Sequence, residues 1–258
     1  MSDTAPVILS AKDISVAFGK KQVTFDVSFD IHAGEFFALV GESGSGKSVT
    51  SMSLLGLLPK PSAKAISGSA MFDGKDLLKL PLLELRKVRG KKISMIFQEP
   101  MQALDPVRTI QSQLLEAIPE VPKKDALEKI CEFLKSAGFA DPERVMRGYP
   151  CEMSGGMLQR ICIVMSLLPH PDLIIADEPT TALDVTVQAA VLAVLKRMAV
   201  ESHTAVLLIT HNMGLVAQYT ERVAVMYQGR IVETGTSRDI ILHPKDAYTQ
   251  RLIAAIPQ

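Results

Sequence analysis

The sequence predicts an α/β fold built around a mostly parallel sheet. Short apolar runs without polar alternation recur along the chain, and stretches with helical spacing of apolar residues separate them. Four such runs lie at residues 36–40, 93–97, 173–176 and 205–209. A central parallel strand is covered on both faces, so its residues are apolar on both sides. These runs therefore predict the central strands of the sheet.

Composition narrows the class of protein. The chain has 258 residues, of which 47% are apolar, enough to bury the core of one large domain. Basic and acidic residues balance at 28 each, which argues against a nucleic-acid partner. The N-terminal segment lacks a secretory signal, and no apolar run approaches the roughly 20 residues that span a bilayer. We therefore expect a cytosolic chain whose membrane work depends on partners.

Two regions have sequence patterns that differ from these apolar runs. Between Pro106 and Pro150 the sequence has helical periodicity at 109–118, 123–137 and 143–147 without a strand-like run, which predicts a helical lobe inserted in the core. Near the C-terminus, two strand-like runs flank Gln228-Gly229 and predict a hairpin. The three cysteines, Cys131, Cys151 and Cys162, are too far apart for a metal or disulfide framework, and we predict that they are small core residues.

The strongest motif follows the first predicted strand directly. It is Gly41-Glu42-Ser43-Gly44-Ser45-Gly46-Lys47-Ser48, followed by Val49 at the start of a helix-like run. Glycines let backbone N–H groups wrap around phosphates, Lys47 reaches the β- and γ-phosphates, and Ser48 binds Mg²⁺. A Gly/Ser turn without a ligand is the simpler interpretation, but the flanking strand and helix favour a nucleoside triphosphate site. We predict that these nine residues contact the nucleoside triphosphate.

A second motif places two carboxylates at the end of the strand at 173–176. Asp177 and Glu178 follow it, and they precede Pro179. Hydrolysis of a phosphoanhydride requires one carboxylate to hold Mg²⁺ and a group that deprotonates the attacking water. Neighbouring strand residues point to opposite sides, so two acids can serve two roles. By itself such a pair is more often a solvated turn; together with the phosphate loop, it predicts Asp177 as a metal ligand and Glu178 as the base.

The third motif decides between the classes of phosphate-binding protein. It is Met153-Ser154-Gly155-Gly156-Met157-Leu158-Gln159-Arg160, just before the carboxylate strand. Ser154 can cap a helix, and two glycines allow a backbone to approach an anion at the helix N-terminus. A helix start without a ligand remains the alternative for these residues alone. Together, the three motifs resemble the ABC ATPase family.

The resemblance implies a fold and further site residues. The fold is a P-loop NTPase (RecA-like) core, at about 1–105 and 160–258, with an N-terminal antiparallel β-subdomain and an inserted α-helical subdomain at about 106–159. In the family, Ser154, Gly155, Gly156 and Gln159 contact the γ-phosphate held by the opposite subunit. Further positions match as follows: Gln98 as the residue that senses Mg²⁺ and the attacking water, Ala182-Leu183-Asp184 as a dimer-contact loop, His211 as the histidine at the γ-phosphate, and Phe18 as the aromatic that stacks on adenine.

The resemblance also implies partners and a place in the cell. Two ATP molecules with Mg²⁺ are expected between two ATPase subunits, a paralogous pair or two copies of this chain. The other partners are two integral-membrane permease subunits and an extracytoplasmic substrate-binding protein, with no nucleic acid. This assembly implies a peripheral position on the cytoplasmic face of the inner membrane.

Finer segments resemble one branch of the family, the dipeptide, oligopeptide and nickel importers. They are 98–106, 177–189 and Ala247-Tyr248-Thr249-Gln250-Arg251-Leu252. Within that branch, residues 152–160 are most similar to the first ATPase of nickel importers. The chain also stops at Gln258, without the cysteine-bearing extension of many peptide-importer ATPases, which favours nickel as well. Asn212, Asp105 and Phe18 depart from the usual Asp, Asn and Tyr of the family.

Two alternatives belong to other functional classes. A non-transport ABC ATPase of DNA repair or of the ribosome would have a coiled-coil arm, zinc cysteines, a second ATPase domain or a basic surface. Neutral charge, length and the cysteine pattern argue against each of these. A regulatory protein that binds nucleotide without turnover is opposed by the presence of Asp177, Glu178 and His211.

Overall fold

The computed structural model describes residues 5–59, 61–180 and 183–255, except the side chain of Gln102. The strands, in chain order, are β1 (Val7–Phe18), β2 (Lys21–His32), β3 (Phe36–Val40), β4 (Ala63–Phe72), β5 (Lys75–Asp76), β6 (Ile93–Ile96), β7 (Leu173–Asp177), β8 (Ala205–Thr210), β9 (Arg222–Tyr227) and β10 (Arg230–Thr236). The helices are α1 (Lys47–Leu54), α2 (Leu82–Val88), α3 (Pro100–Ala103), α4 (Ile110–Glu116), α5 (Lys123–Ser136), α6 (Pro142–Arg147), α7 (Gly155–Leu167), α8 (Val185–Glu201), α9 (Met213–Tyr219), α10 (Ser237–Leu242) and α11 (Ala247–Ala254).

The chain divides into two compact units. The first unit consists of Met1–Arg89 with Ala205–Gln258, and the second of Gly90–Thr204. Within the part of the chain that the structure describes, no helix has both the length and the apolar composition that a bilayer span requires.

The first unit contains an antiparallel sheet and a mainly parallel one. The antiparallel strands lie in the order β2, β1, β4, β5, as the predicted N-terminal β-subdomain requires. In the second sheet, β3 lies between β8 and β9 and runs parallel to both. Strand β10 pairs antiparallel with β9, which confirms the hairpin predicted around Gln228-Gly229.

The central strands of the first unit are buried over their full length. Every residue of β3 and β8 is buried, which explains why their sequences lack polar alternation. Side chains of α9, α10 and α11 pack on Ala38 and Val40 of β3 and form one apolar cluster with them. The C-terminal helices therefore cover the strand that leads into the phosphate loop.

The second unit combines a parallel strand pair with most of the helices. Strands β6 and β7 pair from Ile93 with Leu173 to Ile96 with Ala176. The helices predicted at 109–118, 123–137 and 143–147 are confirmed as α4, α5 and α6. Between residues 106 and 159, all of which are described, the chain forms helices and turns without a strand.

Local sequence explains where two of these helices begin. The Thr109 side chain accepts a hydrogen bond from the Ser112 N–H at the start of α4. Asp141 does the same for the Arg144 N–H at the start of α6, where Pro142 occupies the first turn. Such caps satisfy N–H groups that have no partner within the helix.

The cysteines do not share one environment. Cys162 lies in the core, Cys131 is partly buried and Cys151 is exposed. The prediction of three small core residues is therefore correct for Cys162 and wrong for Cys151. Cys151 lies in the short 3-10 turn Pro150–Glu152, which has too few residues to bury both of its faces. Burial raises the pKa of the Cys162 thiol to about 12, so this thiol is protonated and unreactive near neutral pH.

Candidate functional site

The phosphate loop, residues 41–48, joins the end of β3 to the start of α1 in the first unit. Lys47 is the first residue of α1, and its side chain is only 4% exposed. Its ammonium group donates hydrogen bonds to the carbonyl oxygens of Gly41 at 2.8 Å and Glu42 at 2.9 Å. The loop therefore curls around the charged end of Lys47, and the N-terminus of α1 opens at the same place.

Two glycines of this loop are required by close packing. A Cβ at Gly41 would overlap the backbone oxygen of Met226 in β9. A Cβ at Gly46 would lie 2.9 Å from the side chains of both Met226 and Thr24, and Gly46 has a φ of 106°. The Gly229 N–H also donates to the Ser45 carbonyl at 2.9 Å. Strands distant in sequence thus shape the loop.

His211 emerges at the same sheet edge as the loop. The parallel register pairs Val40, the last residue of β3, with Thr210, the last residue of β8. Gly41 and His211 directly follow these two residues. His211 is exposed and lines an open cavity of about 560 Å³ with Glu42, Ser43 and Arg251. The structure therefore brings the phosphate loop and His211 together, as a phosphate site requires.

In the second unit, the parallel register aligns the predicted catalytic groups. Ile96 of β6 pairs with Ala176 of β7, so Gln98 and Glu178 both follow the C-terminal ends of neighbouring strands. Asp177 ends β7 and is 5% exposed. Glu178 has a φ of 45°, a backbone conformation that non-glycine residues rarely adopt. Such strain is common where a structure fixes a functional side chain.

The third motif forms the N-terminus of α7. The Ser154 hydroxyl accepts a hydrogen bond from the Met157 N–H at 3.4 Å, as a helix cap. Ser154 and Gly155 are exposed, whereas Gly156 is buried against α8. A Cβ at Gly156 would lie 2.7 Å from the Val187 side chain. We call Ser154, Gly155 and Gly156 the signature tip, which presents a polar, glycine-bearing helix end.

Gln159 is buried, whereas its predicted contact with a phosphate of the opposite subunit requires an exposed side chain. Its side chain is 1% exposed, inside the second unit, and does not reach the surface that Ser154 and Gly155 form. Among the described residues, its Nε2 has no hydrogen-bond partner. The next residue, Arg160, donates to the carbonyl oxygens of Ala137 and Gly138 beyond the end of α5, and so ties α7 to that helix. Burial follows from the helical period, which turns position 159 toward the core.

The remaining predicted residues have separate environments. Phe18 is half-buried at the end of β1, in the antiparallel sheet. Val49 is partly buried in the first turn of α1. Of the predicted dimer-contact loop, Ala182 lies outside the described residues, while Asp184 caps α8 by accepting from the Val187 N–H. The roles of these residues remain predictions.

Asn212, which departs from the family pattern, has a clear local role. Its side-chain oxygen accepts hydrogen bonds from the N–H groups of Gly214 and Leu215 and caps α9. An asparagine oxygen performs this function as well as an aspartate oxygen. The substitution therefore preserves the helix start next to His211 while removing one negative charge.

Three residues that no sequence motif indicates also contact the phosphate loop. The Tyr248 hydroxyl of α11 accepts a hydrogen bond from the Glu42 N–H at 2.8 Å. Thr24 and Met226 pack against Gly46, as described above. The segment 247–252 resembles one branch of the family, but this resemblance indicates no role for any of its residues.

The donor types suit Mg²⁺. Ser48, Asp177 and Gln98 offer hydroxyl, carboxylate and amide oxygens, and Mg²⁺ prefers such hard oxygen ligands. Asp177 in particular is a nearly buried carboxylate at a strand end, and a buried charge needs compensation by a cation or by hydrogen bonds. Each of these side chains, taken within its own unit, is therefore of a type that can bind Mg²⁺.

Comparison with known proteins identifies the family. A family model described as ABC transporter matches residues 24–181. The dipeptide transport ATP-binding protein DppD of Bacillus subtilis is 47% identical over 97% of this chain and 77% of its own length. The peptidoglycan transport ATP-binding protein YejF of Agrobacterium fabrum is 49% identical over 100% of this chain, which spans about half (48%) of that relative.

Solved structures agree with this result. The dimeric post-hydrolysis structure of the ATP-binding cassette MJ0796, bound to ADP and Pi, superposes with a TM-score of 0.76 at 27% identity, over 89% of this chain and 99% of that chain. This similarity confirms the predicted fold class. The chain therefore belongs to the ABC transporter family and is one of its ATPases.

Proposed function

We propose that this chain is the ATP-hydrolysing subunit of an ABC importer, which couples ATP binding and hydrolysis to uptake through separate permease subunits. The observation that carries the proposal is the phosphate loop curled around Lys47, with His211 at the same sheet edge. Relatives that are named as transport ATP-binding proteins support the coupling to transport.

In this proposal the first unit binds the phosphates. The loop N–H groups and the N-terminus of α1 receive the negative oxygens of ATP, since both present partial positive charge. Lys47 exchanges its bonds to the loop carbonyls for phosphate oxygens and neutralises charge on the β- and γ-phosphates. Ser48 would supply a hydroxyl oxygen to Mg²⁺ when it is bound, and His211 would contact the γ-phosphate.

The second unit supplies the hydrolytic groups. Glu178 accepts a proton from the water that attacks the γ-phosphorus, while the bond from that phosphorus to the bridging oxygen of ADP breaks. Gln98 would orient the water, and Asp177 would supply a carboxylate oxygen to the metal when it is bound. Mg²⁺, when bound, neutralises charge that develops on the phosphate oxygens. The strained backbone at Glu178 supports a fixed orientation of its carboxylate.

We further propose that the signature tip acts on the nucleotide of a second ATPase subunit. Ser154 and Gly155 are exposed at a helix N-terminus, which suits an anion that arrives from outside the chain. The dimeric state of the related cassette supports this arrangement. Closure upon ATP binding and release after hydrolysis would then drive the permeases. Because Gln159 is buried, we assign it to support of α7 and leave contact with phosphate to the tip.

The cargo is proposed from the relatives. DppD and YejF are named for dipeptide and peptidoglycan transport, and they favour a peptide-containing cargo. Nickel or a metal chelate is the second candidate, because residues 152–160 resemble the nickel importers. Two membrane permeases, an extracytoplasmic binding protein and the cytoplasmic face of the inner membrane complete the proposal.

The test of the function is Glu178→Gln in the complex purified with its permeases. We expect ATP affinity to change less than about twofold and turnover to fall about 10²- to 10⁴-fold, as for loss of a general base. Glu143→Gln is the matched control, because Glu143 is an exposed carboxylate paired with Arg147 in the same unit. Unchanged phosphate release in Glu178→Gln would contradict the assignment of the base.

A transport assay separates the two cargoes. The complex is reconstituted in vesicles with its binding protein, and ATP-dependent uptake of a labelled dipeptide and of Ni²⁺ is measured in parallel. We expect dipeptide uptake that stops in the Glu178→Gln complex. Uptake of Ni²⁺ alone would transfer the assignment to metal, and ATP hydrolysis that neither cargo stimulates would favour a role outside import of these cargoes.

A further inference from the structure

The C-terminal helix α11 contacts the phosphate loop through one tyrosine. Tyr248 is 4% exposed, and its hydroxyl oxygen accepts a hydrogen bond from the Glu42 N–H at 2.8 Å. The two residues are 206 positions apart in the chain. Burial raises the pKa of Tyr248 above its ordinary value, so a neutral hydroxyl faces the loop near neutral pH.

The tyrosine is fixed from several directions. Its ring stacks on the ring of Tyr227 with centroids 4.1 Å apart, an arrangement that restricts both rings. Its backbone N–H donates to the Asp246 carboxylate at 2.8 Å, which caps α11. Glu233 of β10 accepts hydrogen bonds from the Lys245 and Asp246 N–H groups at 2.9 and 3.0 Å. The hydroxyl is therefore held in place rather than free to follow the loop.

The same peptide group connects Tyr248 to Lys47. The Gly41 carbonyl and the Glu42 N–H belong to one peptide bond, and a peptide bond is planar. Tyr248 holds the N–H side of this plane, and the Lys47 ammonium group binds the carbonyl side at 2.8 Å. Rotation of the plane would move both ends together. The direction of the N–H bond therefore determines where the acceptor of Lys47 points.

We propose that Tyr248 is a positioning residue for ATP binding, which holds the peptide plane between Gly41 and Glu42 at the start of the phosphate loop. The inference rests on the proposed function, because it assumes that the loop binds ATP. A fixed plane keeps the loop in the conformation that binds phosphates. ATP binding therefore costs less conformational entropy. Loss of the tyrosine hydroxyl should therefore weaken ATP binding without unfolding the chain.

The decisive variant is Tyr248→Phe, which keeps the stacked ring and removes only the hydroxyl. Tyr227→Phe is the matched comparator, because its hydroxyl accepts from the Gln228 side chain rather than from the loop. Both are made in the full chain with Glu178→Gln, so that hydrolysis does not distort the measurement. Calorimetric titration with ATP and Mg²⁺ then yields the dissociation constant and the binding stoichiometry separately.

We expect Tyr248→Phe to raise the dissociation constant about 3- to 10-fold, the range for one neutral hydrogen bond, with unchanged stoichiometry and a thermal midpoint lowered by no more than about 5 °C. Tyr227→Phe should stay within about twofold of the parent. An unchanged constant in Tyr248→Phe, a loss of stoichiometry alone, or an equal rise in Tyr227→Phe would each overturn the proposal. If the parent chain does not bind ATP, the proposed function itself fails, which is a distinguishable result.

Discussion

The phosphate loop and the signature tip both present a helix N-terminus, but they are built differently. The loop is shaped by residues distant in sequence, since Thr24, Met226 and Tyr248 all contact it. At the signature tip, the cap is local, because Ser154 accepts from the Met157 N–H, and one distant element, α8, packs on Gly156. Three distant elements thus shape one helix end, whereas a local cap and one distant helix shape the other.

The difference predicts how each region responds to substitution. A residue that packs against the backbone of another strand cannot shift without moving that strand. We therefore expect small substitutions in the loop to lower the free energy of unfolding strongly. The signature tip is exposed and locally capped, so a change there should cost about as much as one helix cap. Three substitutions test this comparison, from the largest expected effect to the smallest.

Gly41→Ala should have the largest effect. The added Cβ would overlap the Met226 backbone oxygen, which cannot rotate away, so we expect the free energy of unfolding to fall by about 3 kcal/mol. Gly44→Ala in the same loop is the control, because its Cβ would meet no atom within 4 Å, and only its φ of 82° opposes the change. That variant should lose about 1 kcal/mol. Denaturant unfolding measures both, and equal losses would contradict a loop shaped by β9.

Lys47→Ala should reduce ATP affinity about 10- to 100-fold, because hydrogen bonds made by a charged group contribute more than neutral ones. The titration described above measures this effect. Lys64→Ala, an exposed lysine of the same unit, should leave the affinity unchanged. Unaltered affinity in Lys47→Ala would mean that the buried ammonium group serves only the loop.

Ser154→Ala should have the smallest effect on stability. The cap bond is long, at 3.4 Å, so we expect a loss of about 0.5 to 1 kcal/mol in the free energy of unfolding. Ser154→Asn, which keeps a capping oxygen, should recover most of that loss. A loss above about 2 kcal/mol in Ser154→Ala would show that the signature tip depends on the rest of the unit as strongly as the loop does.

The predictable parts of the fold are those that one contiguous segment specifies. The run 36–40 is apolar throughout, and it forms β3 with every residue buried. The helices at 109–118 and 143–147 have their own capping residues, Thr109 and Asp141, and form where the periodicity places them. The antiparallel sheet was expected only from the family resemblance, because its strands mix buried and exposed residues without a regular period.

The residues of the candidate site also divide into those that a contiguous motif predicts and those that it does not. The phosphate loop, Asp177, Glu178 and the signature tip are contiguous motifs, and a strand or helix in the sequence indicates each one. The burial of Gln159 does not follow from the motif by itself, because the helical period of about 3.6 residues turns some positions of α7 toward the core. The exposure of Cys151 was missed because a cysteine by itself gives no periodicity.

The chemical groups of the candidate site can be predicted from local sequence patterns alone. A glycine-rich loop with Lys47, a strand that ends in two carboxylates and a capped glycine-bearing helix are local patterns, because hydrogen bonding within a few residues decides them. The tertiary structure alone decided which distant groups hold the loop in place. Tyr248, Met226 and Thr24, from α11, β9 and β2, meet at this loop in the folded chain, and no spacing in a sequence records such packing.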